Sequence, residues 1–235
     1  DTLRNHGVTL AALGRLLDAS VSFQKALEIQ PEDVASLRTL GVVLSQMGRH
    51  EEALACLDRA IELAGEDHRT HRRKGVVLAS MGRALEAIVC YDKALSINPV
   101  DFHAFRLKGM VHAGLGQGRE ALVCYDQALA IEPTDEQSML SAGILLGEMR
   151  RFDEGLEMIH RALEHGADEA HCSREMGIVF TRAGQYEDAS RIFDRTLKLQ
   201  PEDAETYRAR AGLRTRTGQL DGALEDLKAA LQLVP

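Results

Sequence analysis

The sequence predicts an all-α protein, a solenoid of seven helix–turn–helix repeats of 34 residues. Three observations predict this fold class. The chain of 235 residues has five prolines, and they are separated by 34 residues or by 68. Two series of glycines and two of alanines keep the same interval. Each interval also holds two segments whose apolar residues recur at helical spacing, with a glycine between the segments.

No insertion or deletion interrupts this period, so we expect a single array without a second domain. Repeat positions are counted from residues 34, 68, 102 and so on, and the first repeat lacks position one. We expect no further helix to cover the last repeat, which leaves apolar residues near an open end. The predicted repeats span residues 1–33, 34–67, 68–101, 102–135, 136–169, 170–203 and 204–235.

The third repeat shows how each element is predicted. Its first helix should run from His68 to Met81 and end at Gly82, because glycine readily adopts the positive φ of a helix C-terminus. Its second helix should run from Leu85 to Ile97, and Pro99 should end it. Apolar residues in this second segment form one stripe along a helix: Ala87, Ile88, Tyr91, Ala94 and Leu95.

Small residues at fixed positions predict that the two helices of a repeat pack closely. A glycine inside a helix costs about 1 kcal/mol relative to alanine. Six copies at one repeat position therefore imply a contact that offsets the cost, with Gly75 of the third repeat facing the second helix near Ala87 and Ala94.

This pattern resembles the tetratricopeptide repeat. The likeness rests on glycine at position eight, alanine at twenty and twenty-seven, an aromatic residue at twenty-four and proline at thirty-two, and it is strongest in Glu86–Pro99 and Glu120–Pro133. The resemblance implies a right-handed superhelix whose first helices line an inner groove. The fifth repeat departs most, because Arg150, Gly155 and Ala167 replace the glycine, alanine and proline of the pattern. We therefore expect it to be the loosest joint of the array.

Composition excludes several classes of function. The chain carries 28 basic and 36 acidic residues, a net charge of −8, and only 4% aromatic residues. The negative net charge and the low aromatic content argue against nucleic-acid binding, which needs positive charge and aromatic side chains on which bases can stack. No apolar run approaches the roughly 18 residues of a membrane span, so we expect no membrane association.

Cysteine spacing predicts a reducing compartment. Cys56, Cys90 and Cys124 occupy one position in consecutive repeats. Their Cα atoms should lie about 9–10 Å apart, whereas a disulfide requires less than about 7 Å. We therefore expect free thiols and a cytoplasmic protein. No phosphate-binding loop, nucleophile motif or metal-ligand spacing is present, so we expect neither enzymatic activity nor a cofactor or metal.

The candidate binding site is a row of arginines at position five, here called the arginine series: Arg4, Arg38, Arg72, Arg106, Arg174 and Arg208. The resemblance implies that positions two, five, nine, twelve and thirteen face the groove. These positions hold nine basic and three acidic residues, so the rest of the chain sums to −14. The alternative is that arginine is simply a good helix former duplicated with its repeat, but drift alone would not separate the charges so strongly.

Two further features complete the candidate site. The densest basic segment, His68–Lys74, adds Arg69 and Arg73 and is the expected centre, with a plain solvated face as the alternative. Beside the arginines, position nine is apolar and includes Val42, Val76, Met110, Ile144 and Ile178.

The sequence therefore favours an adaptor that binds an acidic, partly aliphatic peptide or partner tail through its arginines. Two alternatives stay open. One is an assembly scaffold that self-associates end to end through uncovered repeat faces. The other is the recruiting arm of a larger enzyme.

Overall fold

The computed structural model of the chain describes residues 2–65 and 67–233, and all regular structure in these residues is α-helical. Fourteen helices occur there, which is compatible with seven helical pairs and confirms the all-α class. The third repeat shows the accuracy of the predicted boundaries: its helices run from His68 to Ser80 and from Ala84 to Ile97.

The chain divides into two compact units, Asp1–Gln117 and Gly118–Pro235. In each unit every helix packs against the next one along the chain, and consecutive odd-numbered helices also contact each other. The first unit contains α1 Thr2–Ala12, α2 Leu16–Ile29, α3 Val34–Gln46, α4 His50–Ala64, α5 His68–Ser80, α6 Ala84–Ile97 and α7 Phe102–Gly114. The second contains α8 Gly118–Ile131, α9 Glu136–Glu148, α10 Phe152–Glu164, α11 Glu169–Ala183, α12 Tyr186–Leu199, α13 Ala204–Arg216 and α14 Leu220–Leu233.

The turn inside each repeat follows the glycine prediction. Gly82 has φ +76°, and the amide of Arg83 donates to the carbonyl of Leu78 at 2.9 Å, which closes the last turn of α5. Arg150 occupies the equivalent place in the fifth repeat and is forced to φ 64°. It is the only non-glycine residue with positive φ in the described part of the chain. The register of the repeat thus overrides the steric preference of an L-residue.

Close packing within each repeat is confirmed where glycine faces an aromatic ring. A Cβ placed on Gly177 would lie 2.5 Å from the ring of Phe193, and one on Gly75 would lie 2.6 Å from the ring of Tyr91. Both rings are completely buried. The rings therefore fill the space that the missing side chains leave.

The two helices of the fifth repeat, α9 and α10, pack closely against each other. Gly155 stands where other repeats have alanine, and a Cβ there would lie 2.9 Å from the carbonyl oxygen of Gly143. The second glycine therefore allows the two backbones to approach closely. Ile159, one turn further along α10, is fully buried in the same contact.

These contacts predict opposite effects for two glycine-to-alanine substitutions. Gly177→Ala should destabilise the protein by about 1–3 kcal/mol, because overpacking against Phe193 outweighs the gain in helix propensity. Gly212→Ala is the matched control: Gly212 also lies inside a helix, but nothing lies within 4 Å of an added Cβ. It should stabilise the protein by up to about 1 kcal/mol. Urea unfolding followed by circular dichroism measures both, and equal effects of the two substitutions would contradict the packing described.

Candidate functional site

A basic pocket lies in the first compact unit, between the N-terminal ends of α5 and α7 and the facing side of α3. Its volume is about 590 Å³. We call it the basic pocket, and it is lined by Arg38, Thr39, Val42, His68, Arg69, Arg72, Arg73, Asn98, Val100, Asp101, Phe102 and His103. Four residues of the basic segment line this pocket beside Arg38 and Val42: His68, Arg69, Arg72 and Arg73. Lys74 instead binds Asp58.

The arginine series has a structural function that the sequence analysis did not anticipate. Four of its members bind the aspartate that lies 29 residues further along the chain, just before the first helix of the next repeat. Their shortest nitrogen–oxygen distances are 3.1 Å for Arg4–Asp33, 2.7 Å for Arg38–Asp67, 2.5 Å for Arg72–Asp101 and 3.1 Å for Arg174–Asp203. Each ion pair joins the first helix of one repeat to the residue just before the first helix of the next repeat.

These aspartates also cap the helices that follow them. The side chain of Asp67 accepts hydrogen bonds from the amide of Arg69 at 3.1 Å and from the hydroxyl of Thr70 at 2.5 Å. Asp33 and Asp203 do the same at the starts of α3 and α13. One carboxylate therefore satisfies an otherwise unpaired helix amide and holds the arginine of the preceding repeat.

Several hydrogen bonds converge on these carboxylates and favour their charged form. Burial acts to raise the pKa of Asp67, but the hydrogen bonds from Thr70 and Arg38 outweigh burial, so the pKa lies below its usual 3.8. The pKa values of Asp33 and Asp203 are lowered by the same balance, with Arg4 and Arg174 as the cations.

A signal for these pairs exists in the sequence. Aspartate recurs at position thirty-four in the first, second, third, fourth and sixth repeats, but that position precedes the helix and was outside the groove stripe that we counted. In the fifth repeat the arginine is replaced by Leu140 and the aspartate by Glu169, and Asp168 caps α11 instead. Both partners of the pair are therefore missing from the same repeat.

The other members of the series are also engaged. Arg208 binds Glu205 of its own helix, and the guanidinium of Arg106 lies 3.3 Å from Nδ1 of His103. Arg174 lines a second pocket, in the second compact unit, together with Asp168, Glu202 and Asp203. Acidic residues dominate the surroundings of Arg174, unlike those of Arg72.

Two arginines of the basic pocket keep an uncompensated charge. The guanidinium groups of Arg69 and Arg73 make no hydrogen bond or ion pair with any residue that the structure describes, and both side chains are exposed. Enough protein surrounds the Arg73 guanidinium that desolvation lowers its pKa, and repulsion from Arg72 and Arg38 adds to this effect. An incoming anion would relieve that repulsion.

The apolar residues at position nine are divided among different surroundings. Val42 lines the basic pocket, whereas Val76 and Met110 line a separate apolar pocket between α5 and α7. In the second compact unit, Ile144 is half-buried, and Ile178 packs against the cluster around Phe193.

In the described part of the chain, neither the cysteine thiols nor the side chains of the types that bind metal ions form a reactive site. Cys56, Cys90, Cys124 and Cys172 form no disulfide bond. Burial raises the pKa of Cys56 and of Cys90, and raises that of Cys172 to about 11, so these thiols are protonated and weakly nucleophilic near neutral pH. Residues 2–65 and 67–233 contain no group of three histidine, cysteine or carboxylate side chains able to hold a metal ion.

Comparison with known families gives matches over most of the sequence. Family models described as tetratricopeptide repeat match residues 1–66, 32–97 and 177–235. No curated protein matches the sequence significantly. No helix among the described residues combines the length and the apolar character needed to cross a bilayer.

Solved structures share the fold. A tetratricopeptide repeat protein from Parabacteroides merdae is similar over 100% of this chain and 93% of its own, with a TM-score of 0.80 and 18% identity. PilW, a type IV pilus biogenesis factor, covers 87% of this chain and 95% of its own, with a TM-score of 0.80 and 15% identity. YrrB, a tetratricopeptide repeat protein with an unusual peptide-binding site, covers 80% and 97%, with a TM-score of 0.61 and 24% identity. At these identities the likeness establishes the fold alone.

The lowered pKa of Asp67 makes its pair with Arg38 sensitive to acid. Arg38→Gln should lower stability by about 1 kcal/mol at neutral pH. Because the folded-state pKa of Asp67 is depressed, the contribution is complete above the unfolded value and is lost as the pH falls through the folded one. The difference between wild type and variant should therefore shrink below about pH 4. Urea titrations at several pH values measure it.

Arg59→Gln serves as the control for this experiment. Arg59 pairs with Glu62 at 3.0 Å on the exposed side of α4, within one helix, and its removal should change stability by less than about 0.5 kcal/mol. An Arg38→Gln effect that is no larger than this control, or that persists unchanged in acid, would show that the pair does not couple the repeats.

Proposed function

The chain belongs to the tetratricopeptide repeat family, and we propose that it is a non-catalytic adaptor that binds an acidic, partly aliphatic peptide or partner tail at the basic pocket. A protein–protein interaction module is the function that the fold supports. The acidic preference rests on one observation: Arg69 and Arg73 have no ion-pair partner among the described residues, in a pocket that also has apolar walls.

Charge in the basic pocket favours an anion. Four guanidinium groups surround it, whereas Asp101 and Asp67 neutralise only Arg72 and Arg38. A peptide carboxylate could accept hydrogen bonds from Arg69 and Arg73 without breaking either existing pair. Arginine is well suited to this role, because its planar fork of donors matches both oxygens of a carboxylate.

The walls of the same pocket favour an aliphatic neighbour in the peptide. Val42, Val100 and Phe102 line it, and Val100 is largely exposed. An aliphatic side chain next to the bound carboxylate would cover this apolar surface. The other members of the arginine series, between Arg4 and Arg208, would then contribute to binding mainly indirectly, by holding the repeats in position.

We also propose a cytoplasmic location, because free thiols such as Cys56 persist where cellular reductants are present. Self-association is the alternative function with a specific observation in its favour. Leu220, Leu224, Leu227 and Leu231 of α14 are all exposed by 45% or more. Sedimentation at several protein concentrations distinguishes the two functions, since self-association increases the mass with concentration and an adaptor stays monomeric.

Peptide binding should depend on the two unpaired arginines. An array of peptides that mix aspartate or glutamate with leucine or valine supplies the probe, and its strongest binder is measured by fluorescence anisotropy. Replacing both Arg69 and Arg73 by glutamine should weaken binding about tenfold, which corresponds to about 1.4 kcal/mol. The variant should also lose much of the dependence on salt, because two charged contacts are removed.

Arg119→Gln is the matched control, since Arg119 is exposed, lies on α8 outside the basic pocket and changes the net charge equally per substitution. It should leave the affinity unchanged. The proposal fails if the double variant binds like wild type, or if no acidic peptide on the array binds more tightly than its uncharged analogue.

A further inference from the structure

A second pocket of the first compact unit is apolar and lies between α5, α6 and α7. Its volume is about 520 Å³. We call it the tyrosine pocket, because the fully buried ring of Tyr91 forms part of its wall. Val76 and Ala79 of α5 line it together with Leu107, Met110 and Val111 of α7.

Tyr91 is the one residue with a polar side-chain group, its hydroxyl, among the described residues that line this pocket. It is buried and has no hydrogen-bond partner among the residues that the structure describes. A buried hydroxyl without a partner destabilises the folded state, because it has lost its hydrogen bonds to water. Tyrosine hydroxyls in protein interiors are therefore normally satisfied, whereas this one has no hydrogen-bond partner among the described residues.

Comparison with the next repeat explains why the partner is missing. Tyr125 occupies the same repeat position as Tyr91, and the side chain of Ser141 is the polar group that counteracts the burial-raised pKa of its hydroxyl. The residue 34 positions before Ser141 is Leu107, which lines the tyrosine pocket and has no polar group. A single difference between repeats thus removes the internal partner of the Tyr91 hydroxyl and makes the adjoining wall apolar.

The tyrosine pocket and the basic pocket lie along the same helix, α5. Both are lined by α5, the basic pocket by Arg72 and the tyrosine pocket by Ala79. Seven residues of helix correspond to about 10 Å along the helix axis. An extended peptide covers that distance in about three residues.

We propose that the tyrosine pocket is a specificity subsite for a tyrosine side chain of the bound peptide, about three residues from the carboxylate held by Arg69 and Arg73. This inference rests on the proposed function. Tyrosine matches the pocket because it has a large apolar body and a single polar tip, and its hydroxyl would pair with that of Tyr91. An aliphatic side chain would fill the pocket but leave the Tyr91 hydroxyl unsatisfied.

Entry of the ligand requires a small local rearrangement, because the Tyr91 hydroxyl is covered in the structure. Met110 lines the same pocket and is 51% exposed. Its unbranched side chain has three rotatable bonds and can change conformation at low cost. Displacement of Met110 therefore provides a route to the hydroxyl that leaves the helix backbones in place.

Three peptides test the subsite. They share one acidic residue and differ only three residues away, where they carry tyrosine, phenylalanine or alanine. Wild type should bind the tyrosine peptide about fivefold to tenfold more tightly than the phenylalanine peptide, and the alanine peptide most weakly. Tyr91→Phe should reduce the tyrosine-to-phenylalanine ratio to about one. Tyr125→Phe, the matched control in the next repeat, should leave the ratio unchanged.

The outcomes separate this inference from the proposed function. If the three peptides bind equally while Arg69→Gln with Arg73→Gln still weakens all of them, the tyrosine subsite is wrong and the acidic site stands. A preference for tyrosine that survives in Tyr91→Phe would also reject the subsite. If the arginine variant binds every peptide like wild type, the acidic site is wrong.

A probe that needs no acidic group tests the subsite independently. p-Cresol and toluene have the same apolar body, and only p-cresol carries the tyrosine hydroxyl. p-Cresol should shift the methyl resonance of Met110 at a concentration several times lower than toluene does, and Tyr91→Phe should abolish the difference. Equal titrations of the two compounds in wild type would overturn the assignment of the hydroxyl.

Discussion

The pairing of an arginine in the first helix of one repeat with the aspartate that caps the first helix of the next repeat is the interaction on which this structure depends. In the third repeat, Arg72 and Asp101 are 2.5 Å apart, and the side chain of Asp101 is only 3% exposed. The same carboxylate accepts a hydrogen bond from the amide of Ala104 at the start of α7. A buried carboxylate is costly unless it is paired and hydrogen-bonded. Correct stacking of one repeat on the next supplies both conditions, so the pair specifies the geometry between neighbouring repeats.

This pairing divides the arginines into two kinds. Those of the arginine series at Arg4, Arg38, Arg72 and Arg174 are held by aspartates and keep the repeats in register. Arg69 and Arg73 lie next to such pairs but have no described partner of their own. Within the basic pocket, the positive charge that remains is therefore that of Arg69 and Arg73. Arginines that look alike in the sequence thus differ in their surroundings, and only the three-dimensional contacts distinguish them.

Features that repeat along the chain could be predicted from the sequence, because the same residue types at the same repeat position make the same local interactions. The turn at Gly82, the stop before Pro99 and close packing at Gly75 follow from the 34-residue period. The sequence predicted small residues opposite Gly75, whereas the structure places the ring of Tyr91 there. Even Arg150 obeys it, since it takes the positive φ of the glycine it replaces. The ion pairs were missed because we counted charges only on the helix face predicted to line the groove, and the aspartates lie just before the helices.

The pocket next to Tyr91 could not be predicted in the same way. Its chemistry depends on a difference between repeats, serine at Ser141 against leucine at Leu107, rather than on what they share. Such a difference gains meaning only when the structure shows which side chain faces the hydroxyl. Consensus features of the period thus report the fold, whereas departures from the period point to sites specific to this chain.

A double-mutant cycle on Arg72 and Asp101 tests the central claim most directly. Arg72→Gln, Asp101→Asn and the double variant are compared with wild type by urea unfolding at neutral pH, and asparagine retains the ability to cap α7. If the ion pair couples consecutive repeats, the two single effects should exceed the double effect by about 1–3 kcal/mol. Additive effects of the two substitutions would contradict the account.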